Sequence, residues 1–512
     1  MMHGREKSGS AVVAGKPANE TAQAEEELVE PRAGAEGNAI EPSARRAQSR
    51  ESVTLGLERI RKAAKERKTE KFISLLHHVS SALLGTSFYA LKRDASPGID
   101  GVTWRDYEEN LEANLKDLHD RVHRGGPYHP LPSRRSYIPK ADGKMRPLAV
   151  AALEDKIVQR AVLEVLNAIY EEEFLGFSYG FRPRRSQHDA LDALSVAIIR
   201  SKVNWIVDAD IRSFFDTVNQ DWLIRFLEER IGDKRIIRLI QKWLKAGVLE
   251  DGIVTVSETG TGQGAVISPL LSNVYLHNVI DVWAQAWRVH EAKGEMIIVR
   301  YADDLVAGFE HEAEARRFLD AMRARLEAFA LSLHPDKTRI IRFGRFAAQN
   351  RKERGQGKPE TFDFLGFTFI CGEKRNGGFL LKRKSRRDRM KVKLQDIKEK
   401  LRRQIHKPIP EVGRWLGQVV RGYFNYHAVP TNSPSLVAFS RKVLRLWYRT
   451  LRRRGNKGKI TWPRMYRLRD DFLPAPRIQH PWPEQRFAVK HPRWEPYAGK
   501  PLVRFCAGGA QQ

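Results

Sequence analysis

The stretch EMIIVRYADDLVAGFE, residues 295–310, joins two strand-forming runs across adjacent carboxylates, Asp303 and Asp304. The pattern predicts a β-hairpin with both aspartates at its turn. Aspartate is common in such turns, and an exposed Asp-Asp turn needs no function by itself. The reading is decided by what else the chain supplies. NWIVDADIRSFFDTV (204–218) begins as a buried strand and sets Asp208, Asp210 and Asp216 around its end. Polynucleotide synthesis needs two divalent ions, one to activate a primer 3′-hydroxyl and one to hold the triphosphate and leaving group. Hard oxygen ligands suit such ions, so carboxylates gathered from separate strands at one sheet edge meet the demand.

Composition points the same way. The 512 residues suffice for two or three domains, and the net charge is +28 with a pI of about 10.1. From Cys371 onward there are 35 Lys and Arg against 9 Asp and Glu, while the residues before it carry 55 against 53. That segregation suits a nucleic-acid-binding appendage better than a merely soluble basic protein. Two cysteines, Cys371 and Cys506, cannot build a disulfide framework or a cysteine-based zinc module. No apolar run of about 18 residues and no signal pattern is present. A cytoplasmic protein with a nucleic-acid partner, no membrane and no zinc is expected.

Along the chain, residues 1–52 are poor in large apolar groups and read as a disordered extension. A helical pattern from Gly56, SPGIDGVTW (96–104) and the basic strand–turn–strand SRRSYIPKADGKMRPLAV (133–150) fall in a unit spanning 53–200. Residues 201–372 hold the carboxylates, the Gly-rich TGQGAVISPLLSN (261–273), an amphipathic helix over 312–330 and strands at RIIRFG and FDFLGFTF. Long basic helices are expected over 373–460. A Pro- and Trp-rich tail, 461–512, is a candidate DNA-binding segment.

YADD at 301–304, DIRSFFD upstream and GQGAVISPLLSN between them resemble the conserved blocks of a reverse transcriptase, and the nearest resemblance is to bacterial group II intron reverse transcriptase/maturases. It continues in order through SPGIDGVTW, YIPKADGKMRPL, SYGFRP, HPDKTRIIRF and FDFLGFTF. WLGQVVRGYFNYH (415–427) then resembles the maturase-specific thumb, domain X. The resemblance implies an α+β right-hand polymerase with fingers, an antiparallel-sheet palm and a helical thumb.

It also implies roles. Asp210, Asp303 and Asp304 would ligate two Mg²⁺ ions, with the carbonyl of Ile211 as a further ligand. Asp208 and Asp216 read as capping or solvated groups. Phe215 matches the ring that excludes a 2′-hydroxyl, or else packs beside Phe214. Gln263 matches the loop lying on nucleotide and template, although family members usually read Pro-Gln-Gly-Gly where this chain has Gly262-Gln263-Gly264-Ala265. Lys140 and Arg146 would grip the triphosphate, or simply phosphate backbone. Lys337 resembles a lysine near the primer end or triphosphate. Arg182, Arg184 and Arg185, with Tyr179, resemble a template-tracking block. Among the aromatics of domain X, Trp415, Tyr423, Phe424 and Tyr426 read mainly as core. Lys382, Arg383, Arg386 and Arg387 in the 382–391 run, and the 452–459 run, are the RNA-surface candidates.

The function expected is RNA-directed DNA polymerisation, using an RNA template, a DNA primer or target and dNTPs, coupled to binding and splicing of a parent group II intron RNA in a bacterial cytoplasm. The chain after 460 carries neither the cysteine pairs nor the length of an HNH nuclease, so no endonuclease is expected. Two alternatives stand. One is a domesticated reverse transcriptase serving defence, diversity generation or CRISPR adaptation; the other is an RNA-binding splicing factor without polymerase activity.

Overall fold

A computed structural model of the protein describes residues 44–124, 128–139, 145–262, 264–454 and 460–490. In chain order its strands are β1 (Ser133–Pro139), β2 (Met145–Val150), β3 (Trp205–Asp210), β4 (Val248–Glu250), β5 (Ile253–Thr255), β6 (Met296–Tyr301), β7 (Asp304–Phe309), β8 (Arg339–Arg342), β9 (Thr361–Phe364), β10 (Phe367–Glu373) and β11 (Phe379–Ser385). They form three sheets, ordered β2-β1-β4-β5, β6-β7-β3-β8 and β11-β10-β9. The fold is mixed helix and sheet.

The second sheet is antiparallel throughout, yet its strands read MIIV and LVAGF rather than alternating apolar and polar. The reason is burial on both faces. Val207, Ala209, Ile298, Leu305 and Ala307 turn into one core, shared with the helices Leu153–Tyr170 and Ser268–Leu276. Ile206, Ile297, Val299 and Val306 turn into a second, under helix Gln187–Arg200 and the third sheet. Side chains alternate faces along a strand, so Asp208 and Asp210 follow Ile206, and Asp304 precedes Val306 on that same face. Two buried faces pin the register, because a one-residue slip would exchange every side chain between cores.

A third core belongs to the C-terminal helices Arg387–Arg403, Ile409–His427, Ser433–Arg452 and Trp462–Phe472. Tyr423 and Phe424 are buried in it, and Trp415 packs against it. Tyr426 instead packs on the second core.

Boundaries differ from the sequence reading in three places. A helix, Ala44–Glu66, begins inside the stretch read as disordered. Strand β11 continues the third sheet past 372, because Leu381 alternates inward under β10. The C-terminal core also runs past 460, through Met465 to Leu473, and Phe487 then returns to the second core. Lys140 and Gln263 lie outside the described residues, as do 455–459 of the second basic run and 491–512 of the tail.

Candidate active site

The hairpin at 301–304 turns on two residues, with Tyr301 paired to Asp304. Ala302, the first of the two, has φ +54°, where glycine is usual. Packing and hydrogen bonds hold it there. The Arg300 guanidinium is fully buried and donates to the Ala302 carbonyl at 3.0 Å, to Asn273 Oδ1 at 3.2 Å and to Ser178 Oγ at 2.7 Å. It also grips both oxygens of Asp281, at 2.7 and 2.5 Å. Asn273 in turn donates to the Gly180 carbonyl at 2.7 Å. Gly180 lies directly on the turn: a Cβ there would stand 2.4 Å from the Ala302 nitrogen. The blocks SYGF, SPLLSN and YADD are thus one buried network around Arg300. Sequence reading missed Arg300, Asn273 and Asp281; the signal was an arginine inside the otherwise apolar MIIVRY.

The carboxylates meet at this sheet edge. Asp210 is paired in register with Asp304, and Asp303 adjoins. Burial, and then its own backbone N–H working against it, act on Asp303, whose carboxyl is held above the usual range; Asp210 raises it further, while Arg146 and Lys337 pull it back. Burial first, then the charges of Asp303, Asp210 and Asp208, push Asp304 up to about 7. Asp208 is raised to about 6, mostly by burial, and faces Arg339 at 3.6 Å. Asp216 is exposed on the short helix Phe214–Thr217.

Lys337 seats its ammonium 2.6 Å from Asp210 Oδ2. Among the described residues no three metal-ligating side chains are grouped as a ready cage. The donor chemistry nevertheless fits a hard cation. Three aspartates share one edge, burial and then mutual repulsion raise two of them, and among the described residues their ion pair is to a lysine whose side chain is 60% exposed. Ile211 follows at the strand end, bridged to Leu333.

Around this edge lie the other candidates. Phe215 is half-buried, its ring edge-on to Phe214 at 5.4 Å and to Phe181 at 6.4 Å. Its carbonyl accepts from Thr261 N at 3.0 Å, tying it to the Gly-rich loop. That loop presses on β2, since a Cβ at Gly264, φ +113°, would stand 2.7 Å from the Ala149 carbonyl oxygen. Arg146 on β2 is close enough for its charge to act on Asp303. Arg389, in the first turn of helix Arg387–Arg403, acts likewise on Asp304 and was not foreseen.

Several basic residues have other employment. Arg182 is buried, held by Glu171 at 3.0 Å and by the Leu175 and Ser178 carbonyls, because it locks the turn it sits in. Arg185 donates to the Gly176 and Ser178 carbonyls and lies over the Tyr179 ring. Arg383 is buried against Asp192 at 2.8 Å. Arg386 is taken by Asp388 and Asp363. Arg184 and Arg387 are exposed and Lys382 half-exposed.

Residues 138–369 match the family model described as reverse transcriptase (RNA-dependent DNA polymerase). The chain is 37% identical over 279 residues to protein YkfC of Escherichia coli (strain K12), covering 48% of this chain and 72% of that protein. The chain belongs to the reverse transcriptase family. This reverse transcriptase is also 36% identical over 233 residues to the group II intron-encoded protein LtrA of Lactococcus lactis subsp. cremoris, covering 44% of its own length and 37% of LtrA. A further relative is nuclear intron maturase 3, mitochondrial, of Arabidopsis thaliana, 28% identical over 132 residues, or 25% of this chain and 18% of that one. The reverse transcriptase thus groups with intron-encoded and maturase proteins, and its reaction is RNA-directed DNA polymerisation. Among the described residues no helix is long and apolar enough to cross a membrane.

Proposed function

We propose that the protein copies a group II intron RNA into DNA and, separately, binds that RNA and assists its splicing, in a bacterial cytoplasm. The observation that carries the polymerase half is the meeting of Asp210, Asp303 and Asp304 at one sheet edge, where burial and then the charges of their neighbours raise two of them. The maturase half is supported by likeness to LtrA and the plant maturase and by the basic C-terminal helices.

On this reading β1–β2 and the surrounding helices are fingers, the β6-β7-β3-β8 sheet is the palm and the C-terminal helices are the thumb of a right-hand polymerase. Asp210, Asp303 and Asp304, with the Ile211 carbonyl, would hold two Mg²⁺ ions, which activate the 3′-hydroxyl and stabilise triphosphate charge. Lys337 holds Asp210, and with a cation on that carboxylate its ammonium would be free to bind triphosphate oxygen. Arg146 would meet the triphosphate from β2, a role that the family resemblance also gives Lys140, while it gives Gln263 one against the nucleotide and template. The Phe215 ring occupies the space a 2′-hydroxyl needs. Phe215→Ala then lowers the preference for dNTP over rNTP roughly tenfold or more, the scale of one lost steric contact. An unchanged ratio in single-nucleotide incorporation leaves Phe215 a packing residue.

The central test is Asp304→Ala in two assays on one preparation. Primer extension on RNA should vanish while splicing support at low Mg²⁺ persists. Loss of both, with RNA affinity retained, would place the two activities in one site and sink the division.

A further inference from the structure

Beyond Leu473 the chain crosses back over the molecule, and residues 478–490 tie the end of helix Ile409–His427 to helix Gln187–Arg200. On one side, Gln479 N and His480 N donate to the Ala428 carbonyl at 2.9 and 3.1 Å, and His480 Nε2 donates to the Asn425 carbonyl at 2.7 Å. On the other, Phe487 is buried in the second core and Arg486 Nε lies 3.2 Å from Asp192 Oδ2. Arg486 Nη2 closes the bridge by donating to His480 Nδ1 at 2.7 Å.

These partners fix the protonation state of His480. A carbonyl oxygen only accepts, so Nε2 carries the ring's proton; a guanidinium only donates, so Nδ1 presents its lone pair. A second proton, on Nδ1, would point at a cation. The ring also stacks on His188, with centroids 4.1 Å apart and planes 28° from parallel, and Tyr426 lies 5.1 Å from His188. Both His188 ring nitrogens are shut from water with no hydrogen-bond partner among the described residues, so nothing there would stabilise a charge.

The surrounding charges keep the same sign. Arg383 from β11 adds to Arg486, and His427 adds from the end of its helix with Arg389 behind it. The acids nearby are Asp192 and Asp189 on helix Gln187–Arg200 and Glu484 on the strap itself, and Asp192 is already shared by two guanidiniums. Burial lowers His480 below its ordinary value, the Asn425 carbonyl opposes this, and Arg486 adds to the lowering. The strap is therefore held fully above about 6.5 and weakens as pH falls below it. His480 is only half-buried, so protons reach it.

We propose that residues 478–490 are an acid-released clasp. With His480 neutral they pin the base of the thumb to the palm, and with His480 protonated they let go and loosen the hold on primer and template. The names thumb and palm, and that consequence, rest on the reading given above; the clasp itself rests on the contacts of His480 and Arg486.

The test follows hydrogen exchange by mass spectrometry in the full-length protein, corrected for the intrinsic effect of pH, with the β6–β7 hairpin as internal standard. Opening of 478–490 should rise about tenfold per ring for each pH unit below about 6.5, while the hairpin stays protected. His480→Gln keeps one donor and one acceptor without titrating, so it should hold the strap at neutral pH and remove its share of that slope. Arg486→Ala should free the strap at neutral pH. In that variant, extension in a single binding event, read with excess unlabelled trap, should be shorter, while single-nucleotide addition by enzyme already bound keeps its rate. A strap indifferent to pH, a slope unchanged in His480→Gln, loss of the hairpin in step with 478–490, or extension of wild-type length in Arg486→Ala each overturns the clasp. If Arg486→Ala does not fold, the wild-type and His480→Gln profiles decide. Asp304→Ala should lose extension yet keep the wild-type exchange profile, so failure of the clasp and failure of the polymerase reading are distinguishable.

Discussion

Two groups of buried carboxylates sit within the same fold and are treated in opposite ways. Asp281 has a dedicated counterion, with both oxygens on the fully buried Arg300. Asp192 has two, Arg383 at 2.8 Å and Arg486 at 3.2 Å, which tie helix Gln187–Arg200 to β11 and to the returning C-terminal segment. At the YADD edge three carboxylates crowd together with one exposed lysine in contact and the Arg146 and Arg389 charges acting on them. Taking a charge out of water costs several kcal/mol, and a fold normally offsets it from its own chain. Here the chain's own cations stay at the rim, Lys337 on Asp210 and Arg146 and Arg389 acting from other elements, and on the proposed reading a cation from outside completes the site.

That contrast is broken or sharpened by removing one member of each group. Asp304→Asn should lower primer extension at least about ten-thousandfold, the loss of several kcal/mol of charge stabilisation. Its melting temperature should hold or rise, because the substitution relieves repulsion from Asp303 and Asp210. A melt clearly below wild type would make Asp304 a structural residue. Arg300→Ala should do the reverse, losing about 3–5 kcal/mol in urea unfolding, because it strands Asp281 and frees the Ala302 turn. Unchanged stability there would dissolve the comparison.

Histidines extend it to pH. Burial, then the Arg389 charge, lowers His427 to about 3, and burial, then His480 and Arg486, lowers His188 to about 2. Both are neutral in the folded protein, while the unfolded chain takes up protons near the ordinary value of 6.5. Their contribution is therefore intact above that value and is lost as pH falls below it. About one pH unit below, each costs about 1.4 kcal/mol. Thermal melts taken down this range should fall, and His427→Gln should lessen the slope; a flat profile would mean that these rings gain protons without unfolding.

The sequence exposed the meeting of the three carboxylates more fully than what supports it. Asp210, Asp303 and Asp304 were readable because a strand period and a turn announce where a side chain goes. The Arg300 network was not, since it joins residues from 178 to 302 through packing that no local pattern records. The basic residues were hardest. KRKSRRDR (382–389) reads as a basic run with a single Asp, yet alternation along β11 turns Arg383 inward, and Arg386 finds that Asp388 two residues on. Charge in a sequence gives no direction until the pleat and the neighbours assign one.

This last point carries the smallest effect and its own test. Of the four residues read as an RNA surface in the 382–391 run, Arg383 and Arg386 are engaged by carboxylates, while Lys382 and Arg387 present charge to solvent. Neutralising Lys382 and Arg387 together, each to Gln, should weaken intron RNA binding modestly. It should flatten the log–log salt slope by about 1.4, at about 0.7 per single-strand phosphate contact. Arg383→Gln should act through the fold instead, costing about 3–5 kcal/mol by leaving Asp192 with one partner fewer in a buried site. Extension on a short pre-annealed template at saturating protein should survive the double change, because the carboxylate edge is untouched. A wild-type salt slope in the double variant would make this run a solvated face, and the RNA surface would then be sought on Arg452, Arg453 and Arg454, which are exposed at the end of helix Ser433–Arg452.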